Sequence, residues 1–233
     1  MSRKKQQKEV LTKTKKSPKI LGYSFSKDVS QDAPKEKSLI SEVLRDDWIP
    51  FGANNLFPQE LSELSRSAST HRAILGTKTT FSIGEGLRTT NKALKSLLED
   101  VNTYGESMDD VAKKVLSDYW KLGNGYMEVV VGQGYINFFH QDGTTARVHK
   151  DGKHILLHPD WEHARRYPEN MRKVPMYPDF VKEAGGQVYR TMIHFSDYES
   201  TYYYYGMPDY CAALDHIRIA NQIGVYNLTR FKN

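Results

Sequence analysis

The apolar residues of this chain change from a helical to an extended period at Gly123-Asn124-Gly125, and this change constrains the fold most strongly. Before it, apolar side chains recur every three or four residues over 107–122, which predicts an amphipathic helix. Ser107 and Asp110 have the spacing of a capping box. After it come β-like runs separated by glycine-containing turn signals, at 126–131, 135–139, 144–149 and 154–158. The sequence therefore predicts an α+β fold with an antiparallel β meander.

Further elements are predicted on both sides of this change. Residues 159–186 are rich in proline, arginine and glycine and are predicted to form a long excursion before another strand at 187–195. Ser38 and Asn91 are predicted to cap helices that run to Leu44 and Val101, and Pro58 is predicted to begin a helix that runs to Leu75. A further helix is predicted after a Gly-Met-Pro turn, from Pro208 to Phe231. The fold is thus expected to end in a long helix.

Basic charge is concentrated at the N-terminus. The chain has 233 residues and a net charge of +5, but residues 1–19 alone carry +7 and the remaining 214 residues carry −2. Residues 1–37 have few large apolar side chains, so they are predicted to be a mobile arm. The arm either contacts nucleic acid or an acidic partner or acts as a solubilising tail. Its basic residues are Arg3, Lys4, Lys5, Lys8, Lys13, Lys15, Lys16 and Lys19.

Cysteine content and hydropathy exclude several classes of protein. The single cysteine, Cys211, rules out a disulfide framework and a cysteine-rich zinc site. It lies beside two alanines and is interpreted as a small packed residue rather than a reactive thiol. No apolar run approaches the ~18 residues that a membrane span requires, so no membrane partner is predicted.

Seven potential metal ligands lie within fifteen residues, which raises the alternative of a metal-dependent nuclease. The pattern lacks a His-Glu-x-x-His motif, and His154 and His158 are four residues apart on one predicted strand, too far for one ion. These residues are interpreted instead as solvated hairpin and loop positions, and no catalytic residue, metal or cofactor is assigned. The cluster comprises His149, Asp151, His154, His158, Asp160, Glu162 and His163.

A tyrosine cluster and the final helix are the predicted subunit interface. The tyrosines lie among acidic residues with almost no basic ones, which favours protein–protein packing over base stacking. In the final helix, small and large residues alternate along one face, which permits close approach of another helix. The predicted interface residues are Tyr202, Tyr203, Tyr204, Tyr205, Tyr210, Ile217, Ala220, Gly224 and Leu228.

Three stretches in order resemble the tailed-bacteriophage portal, or head–tail connector, proteins. The first begins with Trp48-Ile49-Pro50-Phe51-Gly52-Ala53-Asn54-Asn55-Leu56-Phe57-Pro58 and continues through the next helix to Ile83-Gly84-Glu85-Gly86-Leu87. The second is Asp118-Tyr119-Trp120-Lys121-Leu122-Gly123-Asn124-Gly125-Tyr126-Met127-Glu128. The third is Tyr205-Gly206-Met207-Pro208-Asp209-Tyr210 with the helix that follows. The similarity extends over most of 40–233.

The resemblance implies a non-enzymatic subunit of a homododecameric ring at one capsid vertex. Double-stranded genomic DNA would pass through it without sequence specificity during packaging and ejection. Implied partners are the capsid protein, the terminase large subunit and a head–tail adaptor, and the implied location is the virion, with the host cytoplasm during assembly. Residues 38–200 resemble the wing domain, and residues 201–233 resemble a turn and helix leading towards the stem.

The chain departs from this family in its length. Portal proteins continue for roughly as long again beyond the position of Asn233, and the clip, the returning stem helix, the tunnel loop and the crown have no candidates here. The expectation is a fragment, a truncated gene product, or a chain whose remainder lies in another polypeptide. Two other functions stay open at this point: the nuclease using residues 149–163, and a DNA-binding module acting through the basic arm.

Overall fold

The computed structural model describes residues 46–182, 188–200 and 202–232. The basic arm and the helix predicted from Ser38 lie outside the described residues, as does Gln187 at the start of the last predicted strand. Within the described ranges the chain has two antiparallel sheets and five α-helices, the last of which is the long C-terminal helix. The predicted α+β class is confirmed.

Four helices precede the sheets: α1 (Phe57–Ser67), α2 (Ser69–Ile83), α3 (Lys92–Glu99) and α4 (Met108–Leu122). The sequence predicted one helix where α1 and α2 are separate, because the apolar spacing continues across the junction. Ala68 adopts an extended conformation there, with φ −97° and ψ 97°, and this ends α1. The predicted caps of α3 and α4 are confirmed: Asn91 accepts from the amides of Ala93 and Leu94, and Ser107 and Asp110 form the reciprocal capping box.

The first sheet contains four strands in the order β2-β1-β7-β6. These strands are β1 (Asn124–Gly132), β2 (Tyr135–Gln141), β6 (Val181–Lys182) and β7 (Tyr189–Ser196). A tight hairpin pairs Gly132 with Tyr135, and β7 returns along the other edge of β1. Helix α4 packs against one face of β1 and β2, where Val111, Val115 and Val101 form an apolar cluster.

The second sheet contains three strands, β3 (Ala146–Val148), β4 (His154–Leu157) and β5 (Arg172–Pro175). The sequence indicated a single run of hairpins, whereas β2 and β3 do not pair and the strands divide between two sheets. Strand β5 lies within residues 159–186, which the sequence predicted to be an irregular excursion. The sequence did not predict this strand because only two of its four residues are buried and its apolar residues do not alternate. The main apolar core lies between the two sheets and α1, and it includes Phe57, Leu122, Ile155 and Met192.

The loop before α1 is built around one fully buried arginine. Arg147 of β3 donates to the side-chain oxygen of Asn55 at 2.7 Å, to its carbonyl at 2.6 Å, and to Gln59 of α1 at 3.1 Å. Asn55 has a left-handed φ of 62°, and its side chain also accepts from the amide of Phe51 at 3.0 Å. Burial lowers the pKa of Arg147 to about 10, so the guanidinium remains charged and holds the loop on the second sheet.

Candidate assembly site

The final helix, α5 (Leu214–Lys232), is joined to the body at the point where α4 ends. Gly123 closes α4 in a left-handed conformation, with φ 72°, as the sequence predicted. The next side chain, Asn124, donates to the carbonyls of Leu122 and Gly206, both at 2.9 Å, and accepts from the Gly206 amide at 2.8 Å. Asn124 therefore bonds the end of α4 to the turn that precedes α5.

Backbone packs directly on backbone at this joint. A Cβ atom at Gly206 would lie 2.2 Å from the carbonyl oxygen of Gly123 and 2.3 Å from the amide nitrogen of Asp197. A Cβ atom at Gly123 would lie 2.6 Å from the Met207 carbonyl carbon. Both positions require glycine for close approach, and at Gly123 the positive φ adds a second reason. The joint is thus closely packed and leaves no room for a side chain at either glycine.

His194 completes the joint from strand β7. Its Nε2 atom is 2.9 Å from the Asn124 side-chain oxygen, and its ring stacks on Tyr126 at 4.6 Å between centroids. Burial lowers the pKa of His194 to about 4, so the imidazole is neutral near pH 7 and donates to Asn124 from Nε2. The sequence identified Gly123-Asn124-Gly125 as a helix stop but did not connect it with His194 or Gly206, because that contact joins distant segments.

Two of the predicted interface tyrosines form contacts within the subunit. Tyr205 is only 7% exposed, stacks on Phe51 at 4.3 Å, and its hydroxyl accepts from the Val148 amide and donates to the Ile49 carbonyl. The Tyr210 hydroxyl donates to the carbonyl of Lys121 at the end of α4. Burial raises the pKa of both phenols. These two side chains anchor the start of α5 on the body.

The other predicted tyrosines are more accessible. Tyr203 and Tyr204 are exposed, and Tyr202 is half-buried against the main core. Cys211, in the short 3₁₀ turn before α5, also packs against this core, and burial together with Asp209 raises its pKa to about 12. That thiol is neutral near pH 7, as expected for a packing residue. The tyrosine assignment to a subunit interface stays a prediction.

Beyond Leu214, which is 1% exposed, α5 leaves the body. Ile217 is half-buried, while Ala220, Gly224 and Leu228 are exposed, and nothing lies within 4 Å of a Cβ atom placed at Gly224. The structure adds a set of exposed apolar residues that the sequence did not assign to an interface: Ile219, Ile223, Val225, Tyr226 and Phe231. Most of the apolar surface of this helix has no partner within the described part of the subunit.

At ~100° per residue, most of these side chains form two apolar stripes whose centres are about 140° apart around α5. The first stripe is the predicted one, with Ile217, Ala220, Gly224 and Leu228. The second contains Ile219, Ile223 and Tyr226. Polar residues separate them: Arg218, Gln222 and Thr229 on one side, and His216 and Asn227 on the other. Such a helix has two separate surfaces for neighbours rather than one.

A cavity of about 450 Å³ lies on the face of the first sheet away from α4. At its base Glu128 of β1, 2% exposed, forms a bidentate pair with Arg172 of β5, at 2.5 and 2.8 Å, and a 3.1 Å contact with Arg190 of β7. Gln141 donates to the same carboxylate at 2.7 Å. This network ties the two sheets together, and the sequence did not reveal it because Glu128 lies within an apolar strand.

The potential metal ligands of residues 149–163 separate into two groups. His149, Asp151 and His154 converge on the hairpin between β3 and β4, and Asp160, Glu162 and His163 converge on the next loop. His158 belongs to neither group: it is buried, its Nε2 is 3.0 Å from the Tyr167 carbonyl, and its Nδ1 accepts from the Asp160 amide at 3.0 Å. The nuclease alternative drew on residues 149–163 as one cluster, whereas the structure divides these residues between two groups and a separately hydrogen-bonded His158.

No family model matches this sequence, and no curated protein matches it. Solved structures with a similar fold come from gene transfer agent (GTA) particles. A chain of the virion of the native GTA particle is 14% identical, with a TM-score of 0.57 over 85% of this chain and 51% of that chain. A chain from the neck of the empty GTA particle, computed with C6 symmetry, is 12% identical, with a TM-score of 0.57 over 84% and 51%.

A chain from the neck of the native GTA particle, computed with C12 symmetry, is 14% identical, with a TM-score of 0.53 over 76% of this chain and 46% of that chain. This chain thus spans about half the length of the chains that it matches. At these identities the likeness establishes a shared fold. Among the helices that the structure describes, none has the length and hydropathy to cross a bilayer.

Proposed function

We propose that this chain is a portal subunit, part of a ring at one capsid vertex of a phage-like particle. The observation that carries the proposal is α5, which leaves the body with two separate apolar stripes around its circumference. The fold likeness to virion and neck chains of GTA particles supports the same assignment. Its proposed role is structural and non-enzymatic, which the likeness to virion and neck chains supports.

The two stripes favour cyclic assembly. In a two-fold dimer each subunit uses one self-complementary patch, whereas in a ring each subunit uses two different patches, one for each neighbour. Helix α5 has two different patches. The small residues Ala220 and Gly224 leave a shallow depression in the first stripe, whereas the large side chains of Ile223 and Tyr226 project from the second. Burying the projecting second stripe in the first stripe of the next subunit covers both, and the small residues allow the helix axes to approach closely.

The remaining features of a portal follow as parts of the proposal. Residues 1–37 form the basic arm, 38–200 the wing, and 201–233 the approach to the stem. The ring is a homododecamer in the virion, assembled in the host cytoplasm, and it meets the capsid protein, the terminase large subunit and the head–tail adaptor. Double-stranded DNA passes through it without sequence specificity. The −2 charge of residues 20–233 suits a channel that must release DNA readily.

Cysteine cross-linking tests the cyclic assembly. Tyr226 and Leu228 are both exposed and lie on opposite stripes, about 160° apart around the helix. In a Cys211→Ala background, the double variant Tyr226→Cys/Leu228→Cys links each subunit to two neighbours on oxidation. We expect a ladder of covalent multimers on a non-reducing gel, and the largest closed species gives the number of subunits in the ring.

The single variants are the matched controls. In a ring, Tyr226→Cys alone and Leu228→Cys alone remain mostly monomeric on oxidation, because each stripe meets the opposite stripe of its neighbour. Mixing the two single variants restores a cross-linked dimer. Efficient dimerisation of either single variant, with no longer ladder from the double variant, would indicate a two-fold contact and would overturn the proposed ring.

A further inference from the structure

We propose that the hairpin between β3 and β4 binds a divalent transition-metal ion through His149, Asp151 and His154. The three side chains direct their potential ligand atoms to one point, and all of these atoms lie within 4.8 Å of one another. Two imidazole nitrogens and one carboxylate oxygen suit ions of intermediate softness, of which Zn²⁺ is the probe used below. This site is independent of the proposed ring, because none of its residues lies on α5.

The spacing of the ligand atoms is already close to that of a bound ion. The Asp151 Oδ2 atom is 3.0 Å from His149 Nδ1 and 2.7 Å from His154 Nδ1. Ligands that bind Zn²⁺ at ~2.0–2.1 Å in a tetrahedron lie about 3.3 Å from one another, so the two Asp151–histidine pairs have to separate by about 0.3 and 0.6 Å. On binding, the ion replaces the hydrogen bond between His154 Nδ1 and the carboxylate, and it also displaces the hydrogen bond that the Asp151 amide donates to His149 Nδ1 at 3.2 Å.

Backbone hydrogen bonds hold the hairpin in this arrangement. The His149 amide donates to the His154 carbonyl at 2.9 Å, and the Gly152 amide donates to the His149 carbonyl at 2.9 Å. The Lys153 amide donates to Asp151 Oδ1 at 2.7 Å, which fixes the carboxylate and leaves its Oδ2 atom directed at the two imidazoles. A β-bridge from Trp48 to His149 fixes the hairpin to the body. The ligands therefore lose little conformational freedom on binding.

One neighbouring charge opposes the ion. Lys173 of β5 has its ammonium nitrogen 3.1 Å from His149 Nε2 and 3.6 Å from Asp151 Oδ2. Its side chain is 44% exposed and can turn into solvent when the ion binds. Lys150, the other nearby lysine with a described ion pair, bonds to Asp47 instead. Removing the Lys173 charge should therefore strengthen metal binding, an effect that a purely structural role of this hairpin does not predict.

The adjacent loop offers a control of similar composition. Asp160, Glu162 and His163 also lie within ligand distance of one another, but all three are exposed and only one is an imidazole. Asp160 is hydrogen-bonded much as Asp151 is, from the Glu162 amide at 3.0 Å and with His163 Nδ1 at 2.7 Å, so the two groups differ in exposure and in the number of imidazoles. We expect this loop to bind Zn²⁺ far more weakly than the hairpin.

Calorimetric titration of the chelator-treated full chain with Zn²⁺ tests the site. We expect one ion per chain, with affinity reduced at least about tenfold in His154→Gln, raised about tenfold in Lys173→Gln, and unchanged in His163→Gln. His154 is partly exposed, and its side chain bonds to Asp151, so His154→Gln should fold. Circular dichroism and the Tm of each metal-free variant verify this.

The proposal can be overturned both by the variant expected to weaken Zn²⁺ binding and by the variant expected to strengthen it. If wild type and folded His154→Gln bind Zn²⁺ equally, or if His163→Gln weakens binding as much as His154→Gln, the ion does not bind at the hairpin. If Lys173→Gln leaves the affinity unchanged, the ion does not lie beside His149. The Lys173→Gln result stands without His154→Gln, so the proposal remains testable even if the latter variant unfolds. Co²⁺ absorption bands lost in His154→Gln and kept in His163→Gln would give the same assignment spectroscopically.

Discussion

Replacing Gly206 with alanine tests whether the joint between the body and α5 depends on direct backbone contact. The added methyl group would lie 2.2 Å from the Gly123 carbonyl oxygen and 2.3 and 2.7 Å from the Asp197 amide nitrogen and carbonyl oxygen. All three neighbours are backbone atoms, which cannot rotate away as a side chain does. Gly206 does not have a left-handed φ, so alanine is strained here by contact alone.

The expected cost follows from two contributions. Overpacking of a buried site costs ~1–3 kcal/mol. Moving the backbone at Gly206 away from Gly123 also weakens the two hydrogen bonds between Asn124 and Gly206, each of which contributes ~1 kcal/mol. We therefore expect Gly206→Ala to lower the free energy of unfolding by about 3 kcal/mol, a large part of the ~5–15 kcal/mol that stabilises a domain.

Urea unfolding followed by tryptophan fluorescence measures this loss, with Gly224→Ala as the matched control. Nothing lies within 4 Å of the position that its methyl group would take. Alanine in the interior of an exposed helix should raise the stability by ~0.5–1 kcal/mol at a protein concentration where both variants have the same oligomeric state. If the free energy of unfolding of Gly206→Ala lies within about 0.5 kcal/mol of the wild-type value, the backbone segments do not approach as closely at the joint as described.

Three further predictions concern buried polar groups. Tyr205→Phe removes the acceptor of the Val148 amide and should cost ~1–3 kcal/mol in urea unfolding, whereas an unchanged midpoint would contradict the anchoring role of this hydroxyl. Arg147→Lys should cost at least about 2 kcal/mol by thermal unfolding, because an ammonium cannot reproduce the forked guanidinium contacts, and an unchanged Tm would contradict this. Burial raises the pKa of Asp118, but the hydrogen bonds from His140 and the Gly143 amide, together with the charges of His140 and Lys121, lower it below its usual value. Stability should therefore fall as the pH drops below about 4 through the lowered folded pKa. This acid loss, measured by unfolding between pH 5 and pH 2, should be less steep in Asp118→Asn, and equal slopes would refute it.

Elements defined by neighbouring residues could be predicted from the sequence. The capping box of Ser107 and Asp110, the Asn91 cap and the helix end at Gly123 were all predicted and are observed. Each depends on side chain–backbone geometry over three or four residues, so no tertiary information is needed. The start of the long terminal helix shortly after Pro208 was predicted for the same reason.

Elements that depend on distant partners could not be predicted in this way. The division into two sheets follows from β7 pairing with β1, across more than 50 intervening residues, and no local pattern encodes that pairing. Arg147 and Asn55 are 92 residues apart, and Asn124 and Gly206 are 82 residues apart. The one local indication was the Asn54-Asn55 pair, since asparagine is among the residues that favour the left-handed conformation observed at Asn55.

The apolar surface of α5 illustrates the same distinction at the candidate site. Periodicity identified one stripe, Ile217, Ala220, Gly224 and Leu228, but a stripe alone does not distinguish a face packed on the body from a free face. Among the described residues, the body covers the helix only near its beginning, around Leu214 and in part at Ile217. Most of both stripes is therefore left uncovered by these residues, which a single periodic pattern does not imply.

The closely packed joint connects this surface with the number of subunits in the proposed ring. Because Asn124, Gly206 and Tyr205 fix the start of α5 on the body, the body and the helix turn together when neighbouring helices pack. A head-to-tail contact closes into a ring only if the rotation between neighbours divides a full turn evenly, and otherwise it generates an open filament. A flexible connection would decouple that rotation from the position of the body. Under the proposed function, the close backbone contact at the joint is therefore what lets helix packing along α5 determine where each body lies around the ring.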